Sequence, residues 1–313
     1  MSDTRRDLLI LAQVTPISMA RCAACALNRG MKAGLKIRWL ALLLALILAA
    51  TQPCRADGAS DWDKDTRSAM RLIAGATEAN SPGALRAGIQ MQLEPGWHTY
   101  WRYPGDSGVP PRFDFAESDN VKSATVLWPA PQRFPDGAGG YSIGYTGTVI
   151  FPVHVVPLDA GKPVTLRLKA DYAICETVCI PAEGKVALKL SAGPSLEEPA
   201  LAAAEARVPK PAMLGGAGPL AIRAIRRDAT GTRERVIVDV AAPEGARTDL
   251  FAEGPTPEWA LPLPKPQLDA PAGTRRFIFD VDGVPPGTKI EGALLKLTLI
   301  AGDDALEVST PLD

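Results

Sequence analysis

Histidine is nearly absent: His98 and His154 are the only two in 313 residues. They are far apart and form no close ligand pair, so a metal centre has little to be built from. Copper, which suits imidazole and thioether, would have to draw on these two with Met70 and Met91. No metal and no cofactor is expected. Nucleophile-elbow, phosphate-loop and zinc-protease patterns are also missing, which leaves hydrolase and nucleotide-dependent functions without support. The longest unbroken apolar run is Trp39 to Ala50, well short of the roughly 20 residues that span a bilayer. What is plentiful is proline and glycine, 29 and 28 residues spread along the chain. So many breakers exclude a coiled coil and favour short strands joined by turns. With 46% hydrophobic and 22% charged residues, the chain is not a disordered polar polymer.

The apolar run has a leader's layout. Lys32, Lys36 and Arg38 precede it, and Cys54-Arg55-Ala56 ends it with small residues flanking one large one. That is the order of a secretory signal, so residues 1–56 are expected to be a cleaved signal with an N-terminal extension. Met31 alone would open a complete signal. The leader holds 8 of the 34 basic and 2 of the 35 acidic residues, leaving 26 and 33, a net charge of −7. An acidic mature chain repels phosphate backbones, so nucleic acid is not an expected partner. Export implies an oxidising compartment, and no membrane span is expected after cleavage.

Beyond the leader, alternating and β-branched segments are separated by turn clusters. Strands are expected at Ala69–Ala76, Leu85–Leu93, Trp97–Trp101, Arg112–Phe115, Val121–Leu127, Thr148–Val156, Val164–Tyr172 and Lys185–Leu190. Ser195 to Glu198 has capping-box spacing and opens one helix, to Arg207. Gly215 to Gly218 reads as a linker. Further strands are expected at Leu220–Ile225, Arg235–Val240, Asp249–Ala252, Arg275–Val281, Ala293–Ile300 and Ala305–Thr310. The expected fold is all-β: one β-sandwich over 57–194, a short helix and linker over 195–219, and a second, smaller sandwich over 220–313.

Two cysteines remain after the leader, Cys175 and Cys179, with three residues between them. Pro181 and Gly184 are expected to bend the chain after the second. The pair can be a structural clip or a reversible dithiol/disulfide. Most exported pairs are clips, but so short a loop constrains the unfolded chain least, which leaves room for a chemical role. The local charges are Asp171, Glu176 and Glu183, with no Lys, Arg or His before Lys185. Negative charge disfavours thiolate. A dithiol that is not stabilised as thiolate is better suited to giving electrons than to taking them.

Around this pair the sequence resembles a known family. Leu93-Glu94-Pro95-Gly96-Trp97-His98-Thr99-Tyr100-Trp101, Tyr103-Pro104-Gly105-Asp106-Ser107-Gly108, Trp128-Pro129-Ala130-Pro131, Tyr141-Ser142-Ile143-Gly144-Tyr145, Phe151-Pro152-Val153 and Cys175-x3-Cys179-Ile180-Pro181 follow in order. Together they resemble the periplasmic N-terminal domain of DsbD-type thiol:disulfide interchange proteins, closest to the suppressor-of-copper-sensitivity branch. The resemblance covers about Leu72 to Leu190. It implies an immunoglobulin-like sandwich that takes electrons from a membrane-embedded thiol reductant. These would pass to soluble periplasmic thioredoxin-like or disulfide isomerase proteins. It also implies that Cys179 bonds the partner, that Cys175 resolves, and that Tyr141 or Tyr145, with Pro181, belongs to a cap or partner surface. DsbD itself has more residues between its cysteines. No multi-span channel or thioredoxin-like domain accompanies the module here, so a separate reductant is expected.

The residue-level alternatives stay open. Trp97, Tyr100, Trp101 and Tyr103 can be a partner patch or, more in keeping with strand aromatics, core. Asp106 and Asp136 read as turn residues. The reading of function is a thiol:disulfide oxidoreductase of the protein-disulfide reductase type. Its rival is a non-catalytic exported binding or assembly protein, with copper handling among its options, and a permanent Cys175–Cys179 bond.

Overall fold

The computed structural model describes residues 58–76, 84–137, 139–190, 193–231 and 233–313. The expected signal segment lies outside the described residues. Ala56–Asp313 form one compact unit whose regular structure is nearly all strand.

The first sandwich follows from alternation. In β10 (Val164–Cys175), Val164, Leu166, Leu168, Ala170, Tyr172 and Ile174 are buried, while Arg167, Lys169 and Asp171 between them are not. Side chains two apart share a face, so one face of the strand enters the core. They meet Met70 and Leu72 of β2 (Ser68–Ala74), Ile89 and Met91 of β3 (Leu85–Leu93), and Phe151, Val153 and Val155 of β9 (Thr148–Pro157). Each such side chain contributes about 1.5–3 kcal/mol of burial free energy. One sheet runs β1 (Asp63–Lys64), β2, β3, β9, β6 (Val121–Val126). The facing sheet runs β11 (Cys179–Leu190), β10, β4 (His98–Gly105), β8 (Tyr141–Thr146), β7 (Gln132–Pro135), with β5 (Arg112–Asp114) also on β10.

Pro181 and Gly184 do not bend the chain as expected; both continue β11, opposite Ala173 and Ala170. Proline is tolerated because β11 is an edge strand, where a missing N–H breaks no ladder. Glycine fits because Met70 of the opposite sheet approaches closely: a Cβ there would lie 3.1 Å from its sulfur.

The helix α1 (Glu198–Ala206) starts later than the capping-box reading. The Ser195 hydroxyl accepts the N–H of Glu197 at 3.1 Å and donates to the carbonyl of Ala74 at 2.6 Å. It therefore ties the segment to β2 rather than capping the helix. Glu198 turns instead to Arg86, which also pairs with Glu205, at 2.8 and 2.5 Å. Buried Leu201 seats the helix over Gly75 and Gly88.

The second sandwich pairs β12 (Lys210–Pro211), β19 (Asp304–Leu312), β18 (Ala293–Ala301) and β15 (Thr248–Glu253). The other sheet is β13 (Ala221–Asp228), β14 (Arg235–Ala241), β17 (Arg275–Asp280) and β16 (Lys265–Gln267). Val236, Val238 and Val240 face Leu295, Leu297 and Leu299 in its core. The two sandwiches also meet directly. Phe251 and Leu263 of the second join the core of the first, and the rings of Phe251 and Trp101 lie 5.6 Å apart. Arg133 binds Asp249 at 2.7 Å, and Arg102 binds Glu253 at 2.6 Å.

A cysteine pair under a tyrosine

The hairpin β10–β11 carries the site at its tip. Cys175 ends one strand and Cys179 starts the next. The two are directly opposed, with α-carbons 4.2 Å apart, and they form a disulfide. Glu176, Thr177 and Val178 make the turn and are exposed. The sulfurs are unequal in their surroundings. Cys175 is buried at 3% exposure, whereas Cys179 is exposed. Pro181, two residues on, is exposed on the same strand face as Cys179.

Cys175 lies on the face of β10 turned away from the main core. There it forms a small cluster with Ala173 and Tyr100. Tyr100 is 1% exposed, and its hydroxyl donates to the sulfur of Cys175 at 2.6 Å. The same oxygen is 3.2 Å from the sulfur of Cys179. Disulfide sulfurs cannot donate, so the phenol is the donor to either. Burial pushes the Tyr100 phenol up, partly opposed by a hydrogen bond with Ser142, so it keeps its proton at neutral pH. The turn after β4 lies on its ring: a Cβ on Gly108, where φ is +124°, would come within 2.2 Å of it.

His98 also reaches the site. Although no histidine flanks the cysteines in sequence, the β4–β10 register places His98 opposite Cys175. Its ring meets Tyr100 edge-on at 5.5 Å and stacks on Phe134 at 5.3 Å. Its Nε2 is buried without a hydrogen-bond partner, and burial lowers its pKa from 6.5. Glu176 bends back over Gly96 in the preceding turn, where a Cβ would meet its carboxylate at 2.6 Å.

The two tyrosines singled out from sequence stand elsewhere. Tyr145 is buried in the main core, with its hydroxyl donating to the carbonyl of Pro129 at 2.8 Å and its ring edge-on to Phe151. Tyr141 is exposed, with the Arg133 guanidinium 5.5 Å from its ring. Trp101 belongs to the main core and Tyr103 packs against it, whereas Tyr100 is the side chain on the sulfurs. The strand register that brings Tyr100 there is not written in the spacing of the aromatics. Met70 and Met91 are fully buried in the main core, and His154 is exposed. Among the described residues no group of three or more His, Cys, Asp or Glu is arranged to hold a metal.

The arrangement therefore offers one accessible sulfur and one sheltered sulfur beside a neutral hydrogen-bond donor. An incoming thiolate can reach Cys179; the thiolate that then leaves, Cys175, meets a phenol that binds anionic sulfur better than disulfide sulfur.

Comparison with known proteins places this site in context. Residues 71–191 match the family model described as thiol:disulfide interchange protein DsbD, N-terminal. That stretch, from within β2 to the end of β11, is a DsbD-type N-terminal domain. The solved N-terminal periplasmic domain of ScsB from Proteus mirabilis superposes with a TM-score of 0.64 at 22% identity. The match covers 82% of this chain and 98% of that one, a share neither sandwich could fill alone. At that identity the likeness is one of fold. A marsupial T cell receptor aligns over 80% of this chain and 99% of its own at 10% identity, but its TM-score of 0.17 does not indicate a common fold. No curated protein matches the chain.

Proposed function

We propose that the chain is a periplasmic thiol:disulfide interchange module whose Cys175–Cys179 pair carries two electrons from a membrane-embedded thiol reductant to soluble thioredoxin-like or disulfide isomerase proteins. The unequal exposure of the two sulfurs, with Tyr100 on the sheltered one, carries this reading. In the charging step a thiolate of the reductant attacks Cys179 Sγ. A mixed disulfide forms, the Cys175–Cys179 bond breaks, and Cys175 leaves as thiolate beside the Tyr100 hydroxyl. A second thiolate of the reductant then releases Cys179, leaving the reductant oxidised and the pair reduced.

In the delivery step the Cys179 thiolate attacks one sulfur of the partner's disulfide, and the partner's other sulfur leaves. Cys175 then attacks Cys179 Sγ, restores the internal bond and frees the partner in its dithiol form. Between Asp171 and Glu183 the hairpin carries no cation, and Glu176 is beside the first cysteine, so thiolate is not broadly stabilised. That balance suits an electron donor. The phenol supplies help only at Cys175.

Cys175→Ala tests the reading. It removes the resolving sulfur, so Cys179 should accumulate in mixed disulfides with thioredoxin-like proteins in the native compartment, and these should dissolve on reduction. The reading fails if no such adduct forms and the wild-type bond resists dithiothreitol until the domain unfolds. That outcome would mark a permanent structural bond.

A further inference from the structure

β4 is poorly held by its own sheet beyond Tyr100. Its pairing with β10 covers only Thr99 and His98, opposite Ile174 and Cys175. Its pairing with β8 covers His98, Thr99 and Tyr100, then breaks and resumes at Gly105. Residues 101–104 therefore have no cross-strand partner in these ladders. Side chains hold them instead: Trp101 enters the first core with Tyr103 against it, and the second sandwich supplies further contacts. Trp101 packs on Phe251 at 5.6 Å. The Arg102 guanidinium grips Glu253 through Nε and Nη2, at 2.9 and 2.6 Å, and Nη2 also reaches Glu307. It lies 4.4 Å from the centre of the Trp101 ring. The Tyr103 hydroxyl donates to the carbonyl of Leu261.

We propose that Arg102 is a positioning residue: its clamp on Glu253 and Glu307 fixes the unladdered half of β4 and so holds the Tyr100 hydroxyl on the sulfurs. The second sandwich thereby tunes sulfur exchange through that strand. Tyr100 is the last laddered residue before the gap, two positions from the clamp. The turn that laps over its ring starts where the gap ends. A forked guanidinium shared between two strands, Glu253 on β15 and Glu307 on β19, sets direction as well as distance, which a point charge cannot do. The inference rests on the reading of the cysteine pair as exchangeable.

A double-mutant cycle tests it. Arg102→Met and, separately, Glu253→Gln are made in the full chain with Tyr100 and with Tyr100→Phe. Reduction of the disulfide by dithiothreitol is timed at a temperature where circular dichroism shows every variant folded. Glu253→Gln keeps Arg102 and its Glu307 contact, and serves if Arg102→Met does not fold. With Tyr100 present, each change should slow reduction by about three- to tenfold, a fraction of what a hydrogen bond to a charged sulfur contributes. With Phe at position 100 the further slowing should vanish. Equal slowing on both backgrounds, or none with Tyr100 present, overturns the proposal while leaving the interchange reading intact. A wild-type bond that resists reduction in the folded protein overturns both.

Discussion

The phenolic oxygen of Tyr100 lies 2.6 Å from the sulfur of Cys175, in a small buried cluster with Ala173. Because Cys175 is the sheltered member of the pair, this is the one side-chain donor that the leaving sulfur meets in these contacts. Its effect should therefore appear in kinetics more than in stability.

Tyr100→Phe keeps the ring and removes the donor. Reduction of the Cys175–Cys179 bond by a small dithiol should slow by about ten- to a hundredfold, because a hydrogen bond to a charged group contributes about 1.5–3 kcal/mol. The folded state loses a bond to a weakly accepting disulfide sulfur and the hydrogen bond with Ser142, so unfolding free energy should fall by about 1–2 kcal/mol. Stopped-flow reduction alongside denaturant melts checks both halves. An unchanged rate would show that the hydroxyl is idle.

Gly108→Ala should act on the same group by crowding. The new methyl would sit 2.2 Å from the Tyr100 ring, and φ of +124° adds backbone strain. Gly137 also has positive φ, +79°, but a Cβ there meets nothing within 4 Å. Comparing the two alanine variants separates contact from strain. Gly108→Ala should slow reduction as Tyr100→Phe does, while Gly137→Ala leaves the rate unchanged. Cys179 is already exposed, so moving the ring opens no route that was closed.

Much of the frame was legible. Leu85–Leu93 is a strand at its expected bounds, because one face alternates against a core and turns flank it. β8 was not among the expected strands. Its four central residues are all buried, so no alternation marks it, and Gly144 interrupts it. That glycine is required: a Cβ would fall 1.8 Å from the carbonyl oxygen of Thr99. The cysteines were legible as a pair, but their hairpin was hidden by Pro181 and Gly184, which usually mark turns and here sit in an edge strand. Tyr100 and His98 were hidden for a different reason. Their approach to the sulfurs depends on a register between strands 75 or more residues apart, and sequence spacing does not encode that.

Phe251→Ala should weaken the junction between the sandwiches. The ring is fully buried, contacts Trp101, and belongs to the first core although it is carried by β15 of the second. Truncating it leaves a cavity at the joint and should cost about 3–5 kcal/mol. Calorimetry should show a lower melting temperature. The sandwiches share this ring, so the reduction rate at Cys175–Cys179 should shift as well. A loss under about 1 kcal/mol would mean the joint relaxes around the gap.

His98 predicts a pH dependence whose sign follows from burial. Its Nε2 is enclosed without a partner, and the pKa is lowered from 6.5 by desolvation. The imidazole is therefore neutral in the fold and takes a proton more readily once the chain unfolds. Between the lowered folded value and 6.5 the unfolded state binds more protons, so stability rises with pH across that window. Read downward, stability is full above the unfolded value and is lost as pH falls past it. His98→Phe keeps an aromatic ring to stack on Phe134 and removes the titration. The melting temperature of the wild type should drop between pH 7 and the acid side of this window, and that of His98→Phe should drop less. Parallel curves would show that the buried imidazole does not resist protonation, and that water reaches it.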